Sequence, residues 1–423
     1  MSAPATRREM RAARTIRQIR HDETAALLSS DIAQAAIALH GTPVLLLDPE
    51  RVRRQYRRLV QSLPFVRFHY AVKALSHRAV ISALADEGCG FDVATGEELA
   101  LLDEIDRERI IHTHPIKKPA EIARAIAQGV RTFVVDNGVE LDKFAGAPAD
   151  VRILVRLAYR SPHAKSDLST KFGVSIFEAA HLVELARERG IRVAGFSFHV
   201  GSQLDDSARF AAAITETLAF MDRLESTLGV RFDTLDIGGG FPVGYDTAVT
   251  PLEDLAAVIR PLLEPHAGRL VIIAEPGRIL AAEAMTLVTS VVGVSERGDG
   301  RWYYLDDGVY GSYSNVLAED VHPLIFTQGD LNGDDTDEAT HRWATLAGPT
   351  CDSTDVIARE VLLPELAVGD LLVSPAMGAY TSVTATRFNG RDVTPIAVVG
   401  HGARTGELVA VAPQRSTRVA ALA

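Results

Sequence analysis

Cysteine is nearly absent from this 423-residue chain; only Cys89 and Cys351 occur. Two thiols cannot build a disulfide framework, so the fold must rest on its core, and the scarcity fits a reducing compartment such as the cytoplasm. Long apolar runs are missing too. No stretch approaches the roughly 18 residues of a membrane span. The Arg-rich start (Arg7, Arg8, Arg11, Arg14, Arg17, Arg20) has no apolar core segment. It therefore does not read as a secretory leader, and residues 1–41 are expected to form a solvated arm or helix. A surplus of positive charge is also lacking: 44 Lys and Arg stand against 55 Asp and Glu, a net −11. That argues against a nucleic acid or membrane partner and suits a small cationic substrate.

What the chain does have is alternation. Eight short apolar, β-branched runs recur: 68–74, 89–95, 109–115, 132–137, 152–158, 194–200, 234–240 and 270–277. Between them lie stretches with apolar residues at helical spacing, such as AEIARAIAQGV (120–130). Eight strand–helix units predict a closed parallel (β/α)8 barrel over residues 42–293, with the first strand, 42–48, free to join a second domain. After residue 293 the pattern changes to short strands bounded by turns: 301–307, 322–328, 342–348, 370–375 and 394–400. Residues 294–423 thus read as a mostly antiparallel β domain. The acidic stretch TQGDLNGDDTDEATH (327–341) lacks the glycine that a calcium loop needs at its sixth position. It is expected to be a solvated loop, and no metal site is expected.

Polar residues gather at the C-terminal ends of the eight runs. They are Lys73, Asp92, His112 with His114, Arg156, His199, the triplet Gly238, Gly239 and Gly240, and Glu275. In a barrel these ends converge on one face. Taken alone, each has a plain structural explanation: an edge lysine, a capping carboxylate, a tight turn. Together they outline a site. A desolvated Lys73 would have a lowered pKa and react as an imine-forming amine. The glycines could expose N–H groups to a phosphate at a helix entrance, with Arg278 after Gly277 as a second contact. Glu275 could partner a pyridinium nitrogen. In the β domain, GPTCDSTD (348–355) reads as an exposed loop tipped by Cys351 and Asp352, and MGAYT (377–381) offers the Tyr380 hydroxyl.

The ordered motifs YAVKA, GFDVAT, KFGV, FHVGSQ, DIGGGFP, AEPGR, DDGVYGS, GPTCDSTD and GAYT span about Thr42 to Gly390. On them the chain resembles the alanine-racemase-fold decarboxylases dependent on pyridoxal 5'-phosphate (PLP), in their ornithine/lysine decarboxylase branch. The resemblance implies that Lys73 carries PLP as a Schiff base and that His199 stacks on the ring. It implies that Glu275 pairs with the pyridine nitrogen. Ser202, Gly238–Gly240, Gly277, Arg278 and Tyr380 would hold the phosphate, and Asp92 and Arg156 would support Lys73. It further implies a head-to-tail homodimer in which Cys351 of one subunit protonates the intermediate of the other. Asp352, with Tyr310, would bind the distal ammonium of a basic amino acid, and Lys171 and Asp355 match a pair that bridges subunits.

Two departures bear on the substrate. Asp352 stands where diaminopimelate decarboxylases usually have Glu, which favours a diamine-type substrate. The segment SNVLAEDVHP (314–323) carries Ala318, Glu319 and Asp320 where ornithine decarboxylases have a Tyr–Asp pair. Glu319 or Asp320 is expected to read the substrate's tail. Ornithine or lysine is the first expectation and a modified diamino acid or carboxy-polyamine the alternative. A racemase is disfavoured by Glu275, and a non-catalytic regulatory homologue by the presence of both Lys73 and Cys351.

Overall fold

The structure is a computed structural model, and it describes residues 7–160, 168–298, 300–334 and 341–400. Sixteen strands form two sheets. β1 (Val44–Leu47) precedes the barrel strands β2 (Val66–Ala71), β3 (Gly90–Val93), β4 (Ile110–His112) and β5 (Thr132–Val135). These continue with β6 (Arg152–Leu157), β7 (Val193–Phe198), β8 (Thr234–Asp236) and β9 (Val271–Ala274). β2 to β9 pair in parallel, each with the next, and β9 closes on β2. All eight expected runs are barrel strands. Alternation of side chains sends Phe68, Tyr70, Phe91, Phe133 and Phe196 outward under the helices, where they are buried in the main core. Inside the barrel, Val134, Leu154 and Ala194 form a small apolar layer. Local signals start the helices as capping rules require. Ser175 and Glu178 form a capping box ahead of Ile176–Glu188, and Asp206 caps Ser207–Leu228.

The second sheet is built from β10 (Met285–Arg297), β11 (Gly300–Leu305), β12 (Phe326–Thr327), β13 (Arg342–Ala347), β14 (Val356–Leu363), β15 (Leu371–Ser374) and β16 (Ile396–Val398). Its order is β12-β15-β10-β11-β13-β14, with β1 joined to β10 and β16. Most pairs are antiparallel; β11–β13 and β1–β16 are parallel. The sequence pattern missed β10 and β14. β14 reads VIAREVLL, where Arg359 and Glu360 interrupt the apolar run. Within 327–341 the chain forms a short helix, Gln328–Asn332, capped by Thr327 and Asp330, while residues 335–340 lie outside the described residues.

Two helices, Arg7–Leu28 and Asp31–His40, precede β1. The segment expected to be solvated is docked from Arg20 onward. Arg20 is buried and paired with Glu283 and Glu23, Arg51 reaches Glu23 at 2.9 Å, and Thr24 is buried. Leu28, Ala33 and Ala36 pack on Val44, Leu46, Val288 and Phe326 of the second sheet. A buried guanidinium must be paired to be tolerated, and Glu283 supplies that charge. Among the described residues, no helix is long and apolar enough to cross a membrane.

Candidate active site

β2 ends at Ala71, so Lys73 does not lie in the strand as expected but in the following 3₁₀ turn, Val72–Ala74. Its side chain is 48% exposed and its Nζ stands 3.8 Å from Asp92 Oδ2. Asp92 is buried, and its Oδ1 accepts from Thr113 Oγ1 at 2.6 Å and from Thr113 N at 3.3 Å. The expected drop in the Lys73 pKa does not occur. Burial pushes it down, but Asp92, Tyr380 and Glu275 more than offset that, and the net shift is upward. The reason is local: the carboxylates that make the site also hold Lys73 as an ammonium.

Glu275 follows β9, and its N–H donates to the Gly238 carbonyl at 2.8 Å. Its side chain is half-buried beside Asp236, a fully buried residue whose Oδ1 accepts from Gly238 N at 2.9 Å; Asp236 Oδ2 is buried without a partner. Burial first, then the neighbouring Asp236, pushes the Glu275 carboxyl well above the carboxylate range. Asp236 itself rises to about 6, chiefly through burial, and Asp92 to about 7 through burial and then Glu275. Three acids in so small a volume cannot all ionise without added positive charge.

The glycine triplet has a steric cause. A Cβ at Gly238 would strike the Phe198 carbonyl, one at Gly239 would lie 2.6 Å from the Glu275 carbonyl, and one at Gly240 would strike the Gly201 carbonyl. The ends of β7, β8 and β9 meet here backbone to backbone. The expected helix entrance is absent: Phe241 to Pro251 is loop, and the next helix is Leu252–Leu263. His199 Nδ1 accepts from Gly201 N at 3.0 Å, and burial, then Arg156 and Lys73, holds the ring well below its ordinary pKa. It is a neutral imidazole with its proton on Nε2.

Arg278 opens the short helix Arg278–Ala281 and is buried. Its Nη1 donates to Tyr245 Oη at 3.0 Å and its Nη2 to Ser202 Oγ at 3.3 Å, and it is ion-paired with Glu319. The guanidinium lies 4.8 Å from the centre of the Tyr380 ring, and its Nε is buried without a partner. One cavity is lined by Lys73, His199, Ser202, Gly240, Glu275, Gly277, Arg278 and Tyr380. Arg156 is close enough to act on the charges of Glu275, His199 and Lys73, and its guanidinium stands 5.5 Å from the Phe172 ring.

Other expected residues fall elsewhere. His112 turns away from the barrel mouth, because β4 points Ile111 inward and His112 outward onto Phe133, 5.9 Å between rings. Burial lowers its pKa to about 3. His114 packs edge-on against Phe172 at 5.4 Å. Asp320 is exposed, caps its helix in the left-handed region and lies 3.5 Å from His322, whereas Glu319 is held at Arg278.

Cys351, Asp352 and Tyr310 form a second group on the β domain, and none of them lines the Lys73 cavity. Cys351 is exposed, and its Sγ accepts from Asn389 Nδ2 at 3.3 Å. Asp352 Oδ2 accepts from Tyr310 Oη at 2.7 Å and Oδ1 from Thr354 N at 2.8 Å. Those donors, the Thr354 N–H foremost, hold it as a carboxylate below its ordinary pKa. The Tyr310 ring stacks on Phe388 at 4.5 Å. Asp355 is buried beneath the loop, accepting from Val309 N, Thr350 N and Thr350 Oγ1 at 2.9, 3.0 and 2.7 Å. Among the described residues no ion pair joins Lys171 to Asp355 within the chain; Lys171 Nζ lies 5.0 Å from the Phe172 ring. Sequence reasoning missed Asp236, Tyr245 and Asn389. The first two sit in or beside the DIGGGFP motif, at the end of β8, where a functional residue is expected.

Residues 49–282 match the family model described as the pyridoxal binding domain of the pyridoxal-dependent decarboxylases. The chain is 36% identical over 362 residues to a lysine/ornithine decarboxylase of Selenomonas ruminantium, covering 84% of this chain and 88% of that one. It is 35% identical over 362 residues to antizyme inhibitor 2 of Xenopus laevis, covering 82% and 78%. It superposes with a TM-score of 0.80 on a lysine/ornithine decarboxylase of Vibrio vulnificus complexed with cadaverine, at 41% identity, covering 86% of this chain and 97% of the other. With the lysine and the buried acids at one barrel mouth, these matches assign the chain to the pyridoxal-dependent decarboxylases.

Proposed function

We propose that this enzyme removes the α-carboxylate of a basic L-amino acid, ornithine or lysine, to give a diamine. The observation that carries the reading is the Glu275–Asp236 pair facing Lys73 across one cavity. The residues fit PLP. A buried acid with an unpartnered oxygen beside it suits a pyridine nitrogen, and a buried arginine with an unpartnered Nε, beside Ser202 and Tyr380, suits a phosphate. When bound, PLP supplies a protonated ring that takes up the electron pair left at Cα.

The chain's own residues do the rest. Lys73 would hold the cofactor covalently through its Nζ, and Asp92, 3.8 Å away, orients its ammonium. Glu275, buttressed by Asp236, keeps the ring nitrogen protonated. His199 covers one ring face, fixed by Gly201 and by the space that Gly239 leaves. Ser202, Gly240, Gly277, Arg278 and Tyr380 hold the phosphate, with Glu319 giving up Arg278 to it. Cys351 of the partner subunit delivers a proton to Cα. Asp352 and Tyr310 beside it meet the distal ammonium, which would be costly to bury unpaired.

Incubating the PLP-loaded protein with ornithine, lysine, arginine and N-substituted diamino acids, and weighing the products by mass spectrometry, tests the reading. Putrescine or cadaverine is expected. Absence of any amine would sink it and favour a binding role, the second reading that the similarity to an antizyme inhibitor brings. Retention of both Lys73 and Cys351 supports the enzyme reading.

A further inference from the structure

At the opposite end of the barrel from Lys73 lies a cavity of about 290 Å³ whose polar lining is Arg67, His69, Arg109, Thr132, Arg152 and Thr234. Strand alternation places it inside the barrel. Ala71 on β2 faces the cofactor cavity, so Arg67 and His69 face the same interior lower down. Thr132 and Arg152 stand one step below Val134 and Leu154, members of the apolar layer within the barrel. That layer is a partition between the two ends.

The charges here are unusual for their setting. Arginines nearby are satisfied by the protein: Arg109 donates to the Cys89 and Ala85 carbonyls, Arg192 pairs with Asp233, and Arg269 pairs with Asp222 and Glu225. The side chains of Arg67, which is exposed, and Arg152, which is half-buried, have no hydrogen bond or ion pair to any described residue. Three guanidiniums face the cavity against one rim carboxylate, Glu108, in a chain of net charge −11. Three like charges facing a single carboxylate still repel one another, and an anion between them lowers that cost. His69 adds a polar ring at the floor, buried, its Nδ1 3.2 Å from the Arg67 carbonyl.

We propose that this cavity is a second anion site, built for a small oxyanion of the phosphate class and separate from the site that holds the cofactor's phosphate. The planar forks of Arg67 and Arg152 supply paired donors, and Thr132, on the strand next to Arg152, lines the same cavity. An anion bound here would sit one side-chain layer beneath the catalytic cluster.

The test is calorimetric titration of PLP-loaded protein with inorganic phosphate, chloride being adjusted to constant ionic strength. With the cofactor already in place, a saturable single-site heat is expected. Arg67→Gln with Arg152→Gln should weaken it about tenfold or more, as loss of charge-assisted hydrogen bonds does. Arg67→Gln alone, an exposed change, should weaken it less, while Arg269→Gln, in an arginine already paired, should leave it unchanged. Retained absorbance of bound PLP certifies that each variant is folded. No saturable heat, or an unchanged affinity in the double variant, overturns the proposal. So does phosphate binding that is seen without PLP and vanishes when PLP is loaded.

Discussion

The two halves of the proposed site are built in opposite ways. At the barrel mouth, the half-exposed Lys73 meets buried Asp92 and Asp236 and half-buried Glu275, and neighbouring groups shift one another's pKa values. On the β domain, Cys351 stands in the open and Asp352 and Tyr310 are half-buried, held by ordinary hydrogen bonds, Asn389 to Cys351 and Thr354 to Asp352. The first half has the means to hold a cofactor and lacks the Cys351 thiol. The second has a thiol and a carboxylate proposed to meet the substrate's tail, and none of its residues lines the Lys73 cavity. Burial of acids without full counter-charge prepares a site for a cationic ring. Exposure of a thiol and a carboxylate makes sense only where something else covers them. In the proposed symmetric dimer each subunit would lend its loop to the other's barrel and so join the halves.

The comparison can be broken experimentally, beginning with the largest effect. Lys73→Ala should abolish turnover and, with it, the visible absorbance of lysine-linked cofactor; retention of full activity would remove Lys73 from the account. Cys351→Ala should lower kcat by about 10²- to 10⁴-fold, as loss of a positioned proton donor does, while PLP affinity stays at the wild-type value in a fluorescence titration. A fall in PLP affinity as well would mean that the two halves are not separable. Glu275→Gln should cost about 10²- to 10³-fold in kcat, the usual scale for losing one preorganised electrostatic partner.

A pH experiment is more pointed. Lys73 must lose a proton before it can attack the cofactor's aldehyde, and Asp92 and Glu275 raise its pKa. The rate of PLP attachment to the cofactor-free protein should therefore climb as pH rises from neutrality. Asp92→Asn removes one of the groups that raise the pKa, so at neutral pH the variant should attach PLP faster, with its profile moved to lower pH. A stopped-flow pH series that shows an unmoved profile would contradict the coupling. The smallest effect concerns Tyr245, which accepts from Arg278 at 3.0 Å. Tyr245→Phe should weaken PLP binding about 3- to 10-fold, the scale of one lost hydrogen bond.

The N-terminal helix reaches the same loop. A Cβ at Gly244, beside Tyr245, would come 2.8 Å from Ile16 Cδ1. Arg20 pairs with Glu283, just after the helix that carries Arg278.

The barrel was legible because alternation of strand and helix is written in hydrophobic spacing, and strand ends must converge. Lys73, His199, Glu275 and the glycine triplet were found by position at those ends. Residue type alone misled at His112, because a strand alternates and one step moves a side chain from the lumen to the outer layer. The sign of the Lys73 shift was hidden since it depends on how closely Asp92, Tyr380 and Glu275 approach it, which chain spacing does not encode. The Arg278–Glu319 pair joins residues 41 apart in different domains, and nothing local announces it.

The most direct test of the account is complementation between two inactive variants. Lys73→Ala protein keeps an intact Cys351 loop, and Cys351→Ala protein keeps an intact cofactor cavity. Mixed and allowed to exchange subunits, they should regain about a quarter of wild-type activity, since half of the dimers at random would be hybrid and each hybrid holds one complete site. Activity that stays at the level of the separate variants, under conditions where mass spectrometry detects the hybrid dimer, would contradict a site shared between subunits.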